Sequence, residues 1–288
     1  MGVLNATPDS FSDGGRFDTG AQAEARIEAL LQQGADILDI GAESTRPGSQ
    51  AVDAQQQIDR AKPAVAHAVS LGAVVSIDTT DPEVADHMLS LGARIVNDVS
   101  CGANPELAHV TASHGASLVL MHSRAPQSDM SGFSEWPDDD YDDVTAEVSA
   151  ELRIAADRAI NAGVSPNDIA IDPGFGFSKN ARHCFEILAR LRELRNLGYA
   201  LLVGPGRKSF IASVDPSGPA ERLGGTIAAC LLAAERGADI VRVHDVREVR
   251  QALAVIDRTG AVRTSAVRTS AEDIGTGSAS KPPEVPDA

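Results

Sequence analysis

A single (β/α)8 TIM barrel is the fold the sequence predicts, and three observations carry that prediction. Seven glycines (34, 72, 92, 115, 163, 198 and 237) each close a helix-like stretch and are each followed by a short run rich in Val, Ile and Leu. Glycine just past a helix end accepts the left-handed conformation without steric cost. The apolar runs do not alternate with polar residues, which is how strands buried on both faces read. Finally, strand-like and helix-like segments alternate along a chain of 288 residues, close to the about 250 typical of one such barrel.

The elements follow in order. The first strand is Gly2–Asn5, and the others lie in GADILDIG, GAVVSIDT, GARIVNDV, GASLVLMH, GVSPNDIAIDPG, GYALLVGP and GADIVRVHD. Helices are predicted at Ala21–Gln33, Ala54–Ser70, Pro82–Leu91, Pro105–His114, Tyr141–Ala162, Ala181–Asn196, Ala220–Arg236 and Arg247–Asp257. An open doubly wound sheet is the structural alternative, but no GxGxxG follows the first strand. The barrel domain is expected over residues 1–260. Residues 261–288 repeat AVRTS and then run through Gly, Ser and Pro, so a disordered tail is expected there. The acidic stretch from Pro137 to Asp143 reads as a solvated helix start rather than a metal site.

Composition narrows the function. The formal net charge is −16, which argues against a nucleic-acid partner, since such a partner needs a basic face. No run of about 18 apolar residues is present, so no membrane span is expected. Three scattered cysteines (101, 184, 230) give neither a disulfide framework nor a CxxC metal knuckle, and a cytoplasmic setting is expected.

In a barrel, chemistry comes from the carboxyl ends of the strands. Every strand here delivers a polar group to that rim. They are Asn5, then Glu43 to Gly48, Asp78, Asn97, His122, Asp172, Gly206-Arg207-Lys208, and Arg242 with His244. A lone Asp after a strand is most often a helix cap; the collection carries the inference. Asp78, Asn97 and Asp172 are acceptor-rich and suit the donor edge of a flat heterocycle. Arg46, Arg207, Lys208, Arg242 and His244, with Asn5 nearby, suit phosphate oxygens and a departing anion. No GxxxxGK[ST], HExxH or GxSxG motif is present.

The segments LNATPDSFSDGG, DIGAESTRPGS, SIDTTDPEVA, IVNDVS, LMHSR, IDPGFGF, GPGRKSF and RVHDV stand in order at the eight strand ends. Together they resemble the signatures of the dihydropteroate synthase family over about residues 1–257. That resemblance implies a reaction between 6-hydroxymethyl-7,8-dihydropterin diphosphate and p-aminobenzoate, giving dihydropteroate and pyrophosphate in folate biosynthesis. It implies small-molecule substrates, a Mg2+ cofactor and a homodimer, with sulfonamides sharing the p-aminobenzoate pocket. By the same resemblance Asp172, Asn97, Asp78, Lys208 and Arg242 hold the pterin. Asn5 contacts metal and diphosphate, and Thr45, Arg46, Arg242 and His244 bind the diphosphate. Phe11, Pro47 and Phe177 line the p-aminobenzoate pocket.

Three positions depart from the family pattern. Ala42 replaces a glycine, Asp81 stands where a basic residue is common, and Gly206 replaces a serine expected to help hold the p-aminobenzoate carboxylate. With glycine there, its own backbone N–H and that of Arg207 are the expected substitute donors. The sequence starts in strand one, so any hairpin preceding that strand is expected to lie outside it. Two other readings are a pterin-dependent methyltransferase barrel and a pterin-binding paralogue without synthase activity. The first has no use for the diphosphate contacts Thr45-Arg46 or Arg242-Val243-His244; only Ala42 and Gly206 favour the second.

Overall fold

The computed structural model describes residues 1–6, 19–43, 52–126, 129, 132 and 134–260. Strands and helices alternate as β1 (Gly2–Asn5), α1 (Thr19–Gln32), β2 (Ile37–Gly41), α2 (Ala54–Ser70), β3 (Val74–Asp78), α3 (Pro82–Ser90), β4 (Ile95–Asp98) and α4 (Pro105–Ser113). They continue as β5 (Ser117–Met121), α5 (Val144–Asn161), β6 (Ile169–Asp172), α6 (Ala181–Ala189), α7 (Leu191–Arg195) and β7 (Ala200–Val203). The chain then forms α8 (Ser209–Ala212), α9 (Leu223–Glu235), β8 (Ile240–Val241) and α10 (Val246–Arg258). The eight strands are parallel and run in sequential order. The ring closes where Gly2 bridges Val243, with Val3 N–H donating to the Val243 carbonyl at 3.1 Å.

Most predicted helix bounds shift by one to three residues. The predicted Ala181–Asn196 helix is broken at Arg190 (φ −106°, ψ 19°), whose guanidinium bonds Asp143, Glu186 and Glu193. The helix predicted from Tyr141 starts at Val144, because Asp143 takes the N-cap position and accepts from the Ala146 N–H. Asp81 caps α3 in the same way, accepting from the Glu83 and Val84 N–H groups, which accounts for an acid at that place. The acidic stretch is more than a solvated helix start. Asp138 pairs with Arg182, Asp140 with Arg124, and Asp143 with Arg190. Among the described residues no His, Cys, Asp or Glu cluster suits a metal ion.

Strand residues alternate between two environments. One set packs outward under the helices, including Leu38, Ile40, Val75, Ile77, Val96, Leu118, Leu120, Ile171, Leu201 and Val203. The other faces the lumen, whose apolar floor is Met1, Val119, Ala170 and Leu202 with Ile37, Ile95, Ala200 and Ile240. Counting by twos from that floor toward the carboxyl ends reaches Asp39, Asn97, Met121, Asp172 and Arg242. On β3 the same phase passes through Ser76 to Asp78. The period-two pleat therefore stacks a polar layer on an apolar one. Burial of the outer layer holds the barrel together at roughly 25 cal/mol per Å² of apolar surface removed from water.

Candidate active site

The polar layer is a connected lattice of side chains. Arg242 donates through Nε to Asp39 Oδ2 at 2.6 Å and through Nη2 to Asp78 Oδ2 at 2.9 Å. Asn97 Nδ2 donates to the same Asp39 Oδ2 at 3.2 Å, and Ser76 Oγ to Asp39 Oδ1 at 2.6 Å. Gly41, Asp78 and Asn97 are register partners on β2, β3 and β4, one rung above. Asp172 closes the far side from β6, its Oδ1 accepting the Gly174 N–H at 2.8 Å. Gly204 faces Arg242 and Asp172, and a Cβ there would stand 3.9 Å from Asp172 Oδ2. Glycine thus keeps the slot open between the acceptor and the cation.

The loop after β7 supplies Lys208, whose Nζ sits 4.2 Å from the centroid of the Phe177 ring. Phe177 packs with Val99 and Met121. Its carbonyl accepts from the fully buried Lys179 at 2.9 Å, and Lys179 also donates to His122 Nδ1 at 2.8 Å. His122 Nε2 in turn meets Glu151 at 2.8 Å. Burial and the Lys179 charge push His122 down to about 4, so the ring is neutral with its proton toward Glu151. This chain of contacts braces the loop that carries Asp172 and Phe177.

The electrostatics of the slot follow from desolvation. Burial raises Asp172 to about 6. Burial and the adjacent Asp39 carboxylate also raise Asp78, against the pull of Arg242. Lys208 is lowered to about 8 by burial and by Arg242. His244 is lowered to about 4 by burial, Arg242 and Arg207, so it is a neutral hydrogen-bonding group until an anion joins it. The slot thus gathers desolvated acceptors and cations whose charges a complementary ligand would satisfy.

Of the residues singled out from the sequence, Asp78, Asn97, Asp172, Lys208 and Arg242 come together here, with Phe177 against Lys208. Asn5 ends β1 beside Gly41 and is exposed at the mouth. His244 lies one lumen step beyond Arg242. Phe11, Thr45, Arg46 and Pro47 lie outside the described residues, as does the 261–288 segment. Arg207 donates through Nε and Nη2 to the Asp245 carboxylate. A Cβ at Gly206 would meet the Arg242 carbonyl and Val243 Cα at 3.6 Å, facing the β8 wall. The Arg207 N–H expected as a substitute donor is taken by Thr226 Oγ1 at 2.9 Å. Asp39, Ser76 and Lys179 were not picked out from the sequence as site residues, and His122 was read only as a rim position. A polar residue at a lumen-phase strand position, two before Gly41, was the available signal for Asp39.

The comparisons with known proteins agree with this geometry. The profile described as "Pterin binding enzyme" matches residues 1–244. A dihydropteroate synthase of Synechocystis is 44% identical over 261 residues, 89% of this chain and 88% of that protein. The chain belongs to the dihydropteroate synthase family. Among solved structures, the Xanthomonas albilineans dihydropteroate synthase with 4-aminobenzoic acid superposes with a TM-score of 0.84 at 39% identity, covering 91% of this chain and 93% of that one. The same enzyme in complex with 7,8-dihydropteroate gives a TM-score of 0.80 at 37% identity, covering 91% and 93%. In this chain Asp98, adjacent to Asn97, is a useful contrast. It is out of phase with the lumen and closes a turn through the Ser100 and Gly102 N–H groups.

Proposed function

We propose that this chain joins 6-hydroxymethyl-7,8-dihydropterin diphosphate to p-aminobenzoate, releasing pyrophosphate and forming 7,8-dihydropteroate. The observation that carries this reading is the lumen layer in which Asp78, Asn97 and Asp172 face Lys208 and Arg242. Its acceptors match the amino and ring N–H groups of a pterin, and its cations match the ring acceptors and the diphosphate.

The pterin methylene C–O bond breaks as pyrophosphate leaves. Arg242 stabilises the developing negative charge, and the neutral His244 ring offers its N–H to it. The electron-rich pterin delocalises the positive charge left on the methylene carbon. The aryl amine is unprotonated at neutral pH and attacks that carbon, so no enzyme nucleophile is required; the proton it loses goes to water. Phe177 and the apolar wall behind it exclude water from the competing attack. Asn5 offers one exposed oxygen donor at the mouth, a donor set that fits a hard cation held mainly by substrate oxygens and water. Asn5 would help hold Mg2+ there, which when bound would supply charge neutralisation on the diphosphate. Thr45, Arg46, Phe11 and Pro47 keep in this reading the roles the family resemblance implies.

Leu232 on α9 and Val255 on α10 are exposed apolar side chains on neighbouring helices, which favours a homodimer through that face. Three free cysteines favour a reducing cytoplasm. No helix among the described residues is long and apolar enough to cross a membrane. The test of function supplies pterin diphosphate, p-aminobenzoate and Mg2+ and measures dihydropteroate. Absence of product from folded protein overturns the reading. Full turnover in excess chelator overturns the metal requirement alone.

A further inference from the structure

The Asp39 carboxylate is fully buried below the slot and gathers three donors: Ser76 Oγ on Oδ1, and Arg242 Nε with Asn97 Nδ2 on Oδ2. Paired with a guanidinium, a carboxylate accepts hydrogen bonds and donates none. The Asn97 atom 3.2 Å from it is therefore the amide nitrogen. Turning that amide over would set its carbonyl oxygen against a carboxylate oxygen in a site shielded from water, where repulsion is weakly screened. Asn97 thus has one permitted orientation. Its carbonyl oxygen therefore points away from Asp39, and Asn97 shares its rung with Asp78. The same Asp39 oxygen fixes the plane of Arg242.

We propose that Asp39 is a specificity-determining positioning residue: by fixing the polarity of the Asn97 amide, it makes the slot wall accept hydrogen bonds and so select a 2-amino-4-oxo pteridine over its 2,4-dioxo counterpart. The two rings have nearly the same shape and differ in one edge group, an amino donor against a carbonyl acceptor. Shape cannot separate them; an unpaired or repelled polar group can. Asp39 acts through Asn97 and Arg242. The inference rests on the pterin reading of the slot and goes beyond it by naming what sets the polarity of one wall.

The test compares calorimetric affinities for 6-hydroxymethylpterin and 6-hydroxymethyl-lumazine in the wild-type chain, in Asp39→Asn and in Asn97→Ala. An asparagine at position 39 can donate as well as accept, so the Asn97 amide becomes free to turn. The expected result is a pterin preference of at least about 100-fold in the wild type that falls by about tenfold or more in Asp39→Asn, a tenfold change being ~1.4 kcal/mol. Asn97→Ala, which removes the oriented carbonyl, should narrow the preference by a similar factor. A purely structural role for Asp39 would weaken both rings alike and leave the ratio where it was. An unchanged ratio in Asp39→Asn overturns the proposal. Should that variant fail to fold, an unchanged ratio in Asn97→Ala overturns it equally, and a narrowed one supports it. If the wild type binds neither ring, the pterin reading falls and this inference with it. If it binds the pterin and the ratio survives both substitutions, only the inference falls.

Discussion

Arg242, from the last strand, reaches across the lumen to Asp78 at the end of the third, with Nη2 2.9 Å from Oδ2. Its other arm is held from below by Asp39. Two carboxylates and one guanidinium therefore share a site largely closed to solvent. Removing one ion from such a set leaves a buried charge without a partner, which costs more than the set contributes as a whole.

This sets the first prediction. Arg242→Met should destabilise the fold by about 3–5 kcal/mol, because Asp39 remains buried and loses its cation. Adding Asp39→Asn to Arg242→Met should recover most of that loss. Neither variant should turn over substrate. Urea unfolding of the two single variants and the double variant, analysed as a cycle, measures the coupling. Equal destabilisation in Arg242→Met and in the double variant would contradict the account.

Asp172 gives a pH dependence whose sign can be worked out. Burial raises its pKa from 3.8 to about 6 in the folded chain. A pterin needs the ionised form as acceptor, so affinity should hold above pH 6 and fall as pH drops through it. Binding near pH 6 should release a proton, visible as a dependence of calorimetric heat on buffer. Stability of the ligand-free chain runs the other way. The folded state holds this proton more tightly, so the contribution is full below about 4 and is lost as pH rises through 6. Asp172→Asn should weaken pterin binding by about 1–3 kcal/mol and flatten the pH profile. A profile that keeps its slope in that variant assigns the titration to another group.

Gly174 is the hinge on which Asp172 depends. Its φ is +68°, and a Cβ would fall 2.2 Å from the His122 carbonyl oxygen. That carbonyl is backbone and cannot swing aside. Gly174→Ala should cost more than ~1 kcal/mol of stability. It should also lower pterin affinity, since the Gly174 N–H is the partner of Asp172 Oδ1. Thermal melts together with titration of 6-hydroxymethylpterin check both effects.

Gly206→Ser should be close to silent. The added Cβ meets only ordinary contacts, at 3.6–3.8 Å, and it faces Arg242, Val243 and Thr226. The expected change in the p-aminobenzoate KM is less than about twofold, in line with roughly 0.5 kcal/mol for a substitution away from partners. A several-fold fall in KM would show that a hydroxyl at this position reaches the second substrate after all.

The alternation of elements was legible because it depends on local chemistry. Val, Ile and Leu runs favour buried strands, glycine ends helices, and Asp or Asn starts them. Asp53, Asp81, Asn104 and Asn180 cap α2, α3, α4 and α6 where the sequence turns from loop to helix. The break at Arg190 was not legible, since besides the local Glu186 and Glu193 its guanidinium binds Asp143, 47 residues away in sequence.

By itself the sequence determined the barrel, its eight rim positions and the residues Asp78, Asn97, Asp172, Lys208 and Arg242. Local propensity and the spacing of strand ends suffice for the barrel and its rim, and the family resemblance of the strand-end segments picks out the five residues. Only the tertiary structure decided how neighbours divide their tasks. Asn97 enters the lumen and Asp98 closes a turn, Lys208 enters the site and Arg207 pairs with Asp245, and Asp39 holds Arg242 from β2. The reason is geometric. A pleated strand sends successive side chains to opposite faces, and which face becomes the lumen is set when the first and last strands close the ring.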